Sequence, residues 1–351
     1  MMESLLREWD GETVVVRYDR PAGAWIFIAI HCTHLGPATG GTRMKAYPDQ
    51  EAALADALRL AAGMTCKFAV PGIKRGGGKA VISIPAHLDP QRRPDLLRRY
   101  GCLVRQLGGL FYTGPDVGTS SADMDIIAET GAPYVFCRSP EAGGAGSSGP
   151  ITALGVFTGI QIACEHVFGE ASLKHRKVLV QGAGSVGGIL IDHLHNAGAE
   201  VLFSDVDDSR IRHFRDELGL QFVPAAEIYQ TACDVFAPCA LGGVFNENTI
   251  PRLKCRVIAG GANNQLAQAQ DAERLRARGI VYAPDYVVNV GGAMAIPGVE
   301  TQGWSPAEAE QMVIKSVRHT LKRIFEMAEE QGITTDEAAR RLAQEHLSKA
   351  P

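Results

Sequence analysis

No two of the eight cysteines stand three positions apart, so the chain holds no C-x-x-C half-site, which argues against a zinc centre. No long basic run occurs and the net charge is -4, which argues against nucleic acid as the main partner. No apolar segment opens the chain. The early run Trp25 to Ile30 is far shorter than the roughly 20 residues that cross a bilayer. The expectation is a cytoplasmic protein with reduced thiols and no membrane partner. Low complexity is missing too. The 39 glycines fall in short motifs and not in a repeat, which points to tight turns and close backbone contacts. What remains is an ordinary globular composition, 46% hydrophobic and 21% charged, in 351 residues, enough for two domains.

The glycines matter most between Lys67 and Lys79, in KFAVPGIKRGGGK. Residues without Cβ let a ligand or another strand approach closely. A lysine directly after Gly76-Gly77-Gly78 then stands against a bare wall. Apolar spacing predicts a helix over Glu51 to Met64, started at Pro48-Asp49, and a buried strand over Ala80 to Ile84. The local order is helix, lysine, glycine turn, lysine, strand. Two lysines are ordinarily two solvated charges. Here the neighbours are Met64, Phe68, Ala69 and Val70. Two amines in such a setting suppress each other's protonation, and burial acts in the same direction. One of them can then serve as a base near neutral pH.

Residues 13–18 and 25–31 read as two strands joined by a turn. Leu35 to Arg43 reads as a small-residue loop. His31 and His34 lack companions at ligand spacing, so no metal is expected. Leu96 to Leu107 reads as a helix. Asp116, bracketed by Gly-Pro and Val-Gly, is either a turn former or a carboxylate at a strand end beside the lysines. Residues 142–150 (AGGAGSSGP) read as a linker and hinge.

Ile151 to Glu165 reads as a helix opening a second domain. Strand 177–181 runs into Gly182-Ala183-Gly184-Ser185-Val186-Gly187, and a helix follows through His195. Strand 200–204 ends at Asp205, 23 positions beyond the first glycine. This is G-x-G-x-x-G in its required setting, a Rossmann-type site whose helix N-terminus takes a pyrophosphate. An acid at 205 binds ribose hydroxyls and repels a 2′-phosphate, so NAD is favoured over NADP. Later strands end near Ala240, Asn263 and Asn289, where ligands bind in such sheets. Residues 307–331 and 335–347 read as amphipathic helices.

Eight motifs in order, GPATGGTR (36–43), GMTCK (63–67), GGGK (76–79), GPDVGTSSADMD (114–125), GAGSVGG (182–188), CDVFAPCALGG (233–243), AGGANNQL (259–266) and YAPDYVVNVGGA (282–293), resemble those of the hydrophobic amino-acid dehydrogenases. These are the leucine, valine and phenylalanine branch of the glutamate dehydrogenase superfamily, and the phenylalanine enzymes resemble this chain most. The resemblance spans nearly the whole chain. It implies an α/β fold of two domains: an N-terminal substrate domain with a mixed sheet, and an NAD-binding Rossmann domain, with a cleft between them. The expected bounds are 1–141, a hinge at 142–150, and 151–324, with a helix from 325–351 returning to the first domain. The resemblance also implies a homo-oligomer.

By motif, the resemblance makes Lys79 and Asp116 catalytic and gives the substrate carboxylate to Lys67. It puts Gly41, Met64, Gly114, Asn289 and Ala293 near the substrate. Val290 departs from the usual alanine. The implied reaction is oxidative deamination. A hydride leaves Cα for NAD, Lys79 activates water for attack on the imine, and Asp116 relays protons to the nitrogen. The products are a 2-oxo acid and ammonia. Gly114, Ala293 and Thr39 are smaller than the alanine, valine and leucine of leucine enzymes, which points to a wider pocket and an aromatic substrate, phenylalanine before leucine or valine. A hydroxy-acid dehydrogenase would need a histidine-type base that this segment lacks. A non-enzymatic NAD sensor would have no use for Lys67, Lys79 and Asp116 together.

Overall fold

A computed structural model describes residues 2–349. The chain divides into two compact units. The first holds the chain up to Ser148, Ile296–Trp304 and the chain from Ala343; the second holds Gly149–Ala295 and Ser305–Leu342. This differs from the expected bounds. Residue 149 already opens a helix, Ile296–Trp304 joins the first unit, and of the last helix only the part from Ala343 does so.

The first unit runs α1 (Met2–Glu8), β1 (Thr13–Asp19), β2 (Ala24–Cys32), β3 (Ala38–Lys45), α2 (Gln50–Ala69), β4 (Gly76–Ser83), α3 (Arg93–Gln106), β5 (Phe111–Pro115) and α4 (Ser121–Gly131). Its sheet has the order β1-β2-β4-β3-β5. The β1–β2 and β2–β4 pairs are antiparallel, and β3 is parallel to both β4 and β5.

Alternation along the strands decides which side chain faces which layer. Ile26, Ile28, Ile30, Ala80 and Ile82 pack with Leu96, Leu97 and Tyr100 of α3 and Met124 and Ile127 of α4. Phe27, Ala29 and Val81 pack on the other side, with Ala53, Leu54, Ala57 and Ala61 of α2. Lys79 is two residues from Val81 and therefore shares the α2 face. Thr39, Gly41 and Arg43 of β3 share it by the same count, since Ala38 and Met44 belong to the α3 side.

Three local expectations change. The triple glycine is no turn: it is the buried start of β4. The GPATGGTR loop is mostly strand β3, between β4 and β5. The helix before Lys67 does not stop at Met64 but continues through Lys67 to Ala69, capped by the Asp49 side chain on the amide of Ala52. One cause underlies the first two. Glycines read as loop formers, but here main chains meet where a side chain would stand. A Cβ on Gly77 would fall on the backbone of Thr65 in α2, one on Gly40 on the Gly78 carbonyl, and one on Gly78 would lie 2.9 Å from the Phe111 ring.

In the second unit the order is α5 (Gly149–Phe168), β6 (Lys177–Gln181), α6 (Gly187–Asn196), β7 (Glu200–Ser204), α7 (Asp208–Arg212), β8 (Gln221–Phe222), β9 (Val235–Pro238), β10 (Val257–Ile258), α8 (Gln270–Ala277), β11 (Val281–Tyr282), α9 (Asp285–Val288), α10 (Gly291–Gln302), α11 (Pro306–Gln331) and α12 (Thr335–Ser348). The last residues of α10 and α12 count with the first unit. Six parallel strands lie in the order β11-β10-β9-β6-β7-β8. The order reverses at β6, the switch point where doubly wound sheets bind nucleotides. Helix α5 is long and apolar enough to cross a bilayer by composition, a run the sequence reading passed over. Here it is a core helix: Ala153, Val156, Ile160 and Ala163 are buried, and α11 packs along it.

Candidate active site

The α2 face of the first sheet gathers an ion network. The Lys79 Nζ lies 3.0 Å from Asp116 Oδ2. Arg43 donates from Nε to the same oxygen at 2.8 Å and from Nη1 to Asp56 Oδ2 at 3.0 Å. Asp56, on α2, also accepts from Tyr47 Oη and Arg59 Nη2, each at 2.7 Å. Lys79 sits in mid-strand with its side chain 7% exposed, so its charge cannot be left to solvent.

Asp116 follows the last residue of β5. Its amide donates to Thr119 Oγ1 at 2.9 Å, and that hydroxyl donates to the Thr42 carbonyl at 2.8 Å, which pins the loop to β3. Gly41 makes the approach possible. A Cβ there would stand 2.6 Å from the Pro115 carbonyl and 2.9 Å from Asp116 Cβ. Of the two readings of Asp116, the strand-end carboxylate beside a lysine is the observed one.

Electrostatics follow from this packing. Burial pushes the Lys79 ammonium down from its ordinary range, and the Asp116 charge only partly opposes it. Burial pushes the Asp116 carboxyl up, but the Lys79 and Arg43 charges outweigh that and bring it to about 2.

The other expected residues of this unit lie on α2 and β5. Lys67 is half-buried in the last turn of α2, and Met64 is one turn earlier, on the same helix face. Gly114 pairs with Gly41 in the β3–β5 ladder, on the α2 face. Its missing Cβ points toward Cys137 Sγ and Phe136, which pack with Ile296, Tyr112 and Ala145. His31 bridges two side chains. Its Nε2 meets Asp10 Oδ1 at 2.9 Å and its Nδ1 meets Thr65 Oγ1 at 2.8 Å. No His, Cys, Asp or Glu group among the described residues has the makings of a metal site.

Arg43 and Asp56 are the members that sequence reasoning missed. A usable signal existed for Arg43. It lies two residues after Gly41 in what proves to be a strand, hence on the same face.

In the second unit the nucleotide loop sits at the switch point. Gly182, with φ of 92°, leads out of β6, and a Cβ on it would lie 2.7 Å from Ala240 Cβ, beyond β9. A Cβ on Gly187 would fall on the Gly182 carbonyl, so α6 can pack tightly against the turn. Gly184 opens outward, with only the Arg210 guanidinium near its missing Cβ. These are the three roles such glycines play around a pyrophosphate. Ala183, Ser185 and Val186 complete the turn.

Asp205 accepts from the amides of Ala183 at 2.6 Å, Val206 at 2.7 Å and Asp207 at 2.9 Å. Burial raises its carboxyl, and these amides more than offset that, so it stays ionised. It therefore braces the loop, with the Arg210 guanidinium 3.6 Å from its Oδ2. Asn289 donates to Asn263 Oδ1 at 2.8 Å and to the Gly261 carbonyl at 3.2 Å. The buried Asn289 Oδ1 accepts nothing, an orphan that a bound donor group would satisfy. Ala293 lies in the first turn of α10. The residues present thus fit a dinucleotide.

Comparison with known proteins agrees. Residues 17–132 match the family model described as Glu/Leu/Phe/Val dehydrogenase, dimerisation domain, and residues 205–351 match glutamate/leucine/phenylalanine/valine dehydrogenase. Leucine dehydrogenase of Thermoactinomyces intermedius is 41% identical over 342 residues, 97% of this chain and 92% of that one. L-tryptophan dehydrogenase of Nostoc punctiforme is 43% identical, covering 98% and 96%. Valine dehydrogenase of Streptomyces virginiae is 42% identical, covering 97% and 94%. The crystal structure of the Nostoc punctiforme tryptophan enzyme superposes with a TM-score of 0.83 at 41% identity, covering 100% of this chain and 99% of that one. The chain belongs to the glutamate/leucine/phenylalanine/valine dehydrogenase family. Within it, the protein is an NAD-dependent amino-acid dehydrogenase.

Proposed function

We propose that the protein catalyses the reversible oxidative deamination of a branched-chain aliphatic L-amino acid to its 2-oxo acid and ammonia. The observation that carries the chemistry is the buried Lys79–Asp116 pair at 3.0 Å. Lys67 holds the substrate carboxylate by charge. Bound NAD supplies the hydride acceptor. With the hydride gone from Cα, Lys79 in its neutral form takes a proton from water as the oxygen attacks the imine carbon. The protonated Lys79 passes that proton through Asp116 to the nitrogen, then takes the hydroxyl proton as the carbinolamine collapses to the oxo acid and ammonia leaves. Asn289 Oδ1 accepts a hydrogen bond from a bound amine or carboxamide.

Leucine and valine dehydrogenases among the relatives support a branched-chain substrate better than phenylalanine. A second reading has its own support. The open Cβ position at Gly114 and the tryptophan dehydrogenase relative favour an aromatic side chain. The match to a dimerisation-domain model supports a homo-oligomer.

The test is NADH formation from NAD with leucine, valine, phenylalanine, tryptophan and glutamate, alongside Lys79→Ala. Leucine and valine lead on the main reading, and the aromatic acids lead on the second. K79A should lose about 10²–10⁴-fold in turnover. Near-normal turnover in K79A would remove Lys79 as the base.

A further inference from the structure

We propose that Arg43 is a positioning residue for the proton-handling pair: it fixes the Asp116 carboxylate and keeps Lys79 in the neutral form that a base requires. The proposal rests on Lys79 being the base. Its ground is geometric. The Nε of Arg43 and the Nζ of Lys79 converge on one oxygen, Asp116 Oδ2, at 2.8 and 3.0 Å. Counting the whole network, two carboxylates, Asp116 and Asp56, face three cations, Lys79, Arg43 and Arg59, and cannot neutralise all of them. Arginine does not give up its proton in proteins, so the deficit falls on the lysine.

Arg43 cannot turn aside to relieve the crowding. Its second arm is held by Asp56, which Tyr47 and Arg59 hold in turn. The side chains of Arg43, Asp116 and Asp56 are 17%, 18% and 14% exposed, so water screens them little. Both cations lie on Oδ2, which fixes the orientation of the carboxylate.

The charged and titratable groups around Lys79 come from each packed element. β3 gives Arg43, and Tyr47 follows it. The end of β5 gives Asp116. α2 gives Asp56, Arg59 and Lys67. On β2 the residue opposite Lys79 is Ala29, and His31 lies two positions along. Of these groups, burial aside, Arg43 drives the Lys79 ammonium down, and Asp116 and Asp56 oppose it.

The experiment is the pH dependence of kcat/KM for deamination at saturating NAD, in wild type, Arg43→Gln and Arg43→Lys, with K79A as the reference for the base. R43Q removes the repelling charge. Its acid limb should move to higher pH by about one unit or more, a roughly tenfold loss at neutral pH that is recovered in alkali. R43K keeps the charge, and its limb should stay at the wild-type position even where kcat falls. If R43Q lowers activity equally at every pH, Arg43 is only a scaffold and the proposal is overturned. It is also overturned if R43K moves the limb as far as R43Q. Where R43Q does not fold, Arg43→Met, which also removes the charge, takes its place and is read by the same two outcomes. Failure of the base assignment itself is read separately, from turnover in K79A.

Discussion

Gly114→Ala separates the two substrate readings with one methyl group. A Cβ at this position would meet Cys137 Sγ at 3.8 Å, the Phe136 carbonyl at 3.9 Å and Phe136 Cβ at 4.0 Å. These are ordinary van der Waals separations, so the strand need not move. Gly114 has no positive φ, and replacing such a glycine by alanine stabilises by about 0.4–1 kcal/mol through the unfolded chain. The melting temperature of G114A should therefore be equal to or above that of the wild type. The methyl fills space on the face that carries Lys79, and a methylene in an apolar pocket is worth about 1–3 kcal/mol between competing substrates. The ratio of kcat/KM for phenylalanine to that for leucine should fall about tenfold or more. Steady-state kinetics on both substrates and a thermal melt are the assays. A lower melting temperature would refute the argument from space. An unchanged ratio with unchanged stability would show that Gly114 does not line the side-chain pocket.

Gly77→Ala is the opposite case: its methyl would strike the Thr65 backbone, and a loss of about 1–3 kcal/mol or more is expected in denaturant unfolding. Asp116 carries an acid-side stability dependence. Its carboxyl stands at about 2 in the folded protein. The unfolded value is about 3.9, so the stabilisation is full above about pH 4 and is lost as pH falls through about 2, amounting to about 3 kcal/mol. Asp116→Asn lacks that loss, so the stability gap between wild type and D116N should narrow from about pH 5 to about pH 2. Asp205→Ala should raise KM for NAD about tenfold or more while leaving KM for the amino acid in place, since three loop amides lose their acceptor. An unchanged KM for NAD would remove Asp205 from the nucleotide site.

The nucleotide-binding unit was highly legible. Strand, G-x-G-x-x-G, helix and acid follow one another within a few dozen residues, so local spacing alone carries the site. The strands 13–18 and 25–31 and the helices at 307–331 and 335–347 were legible for the same reason, as periodicity is local. The first-unit site was legible only in part. Lys79 stood out through its glycines, but those glycines were read as a turn. What makes them strand residues lies far along the chain, in Thr65, Phe111 and Gly40. Arg43 and Asp56 went unseen because they act across the sheet-helix interface. No spacing in the sequence reports that 43, 79 and 116 meet on one oxygen. Ile296–Trp304 escaped because its association with the first unit depends on contacts remote in sequence, such as Glu300 Oε1 accepting from the amides of Cys137 and Ala145.

The close main-chain contacts around Gly40, Gly76 and Gly77 also bear on how such an enzyme can diversify. Where a Cβ would coincide with another residue's backbone, any single substitution costs stability. The wall beneath Lys79 thus resists change. Gly114 has room to vary. Descendants of this scaffold are expected to trade one amino acid for another by drifting at such open positions, while inheriting the deamination step unaltered.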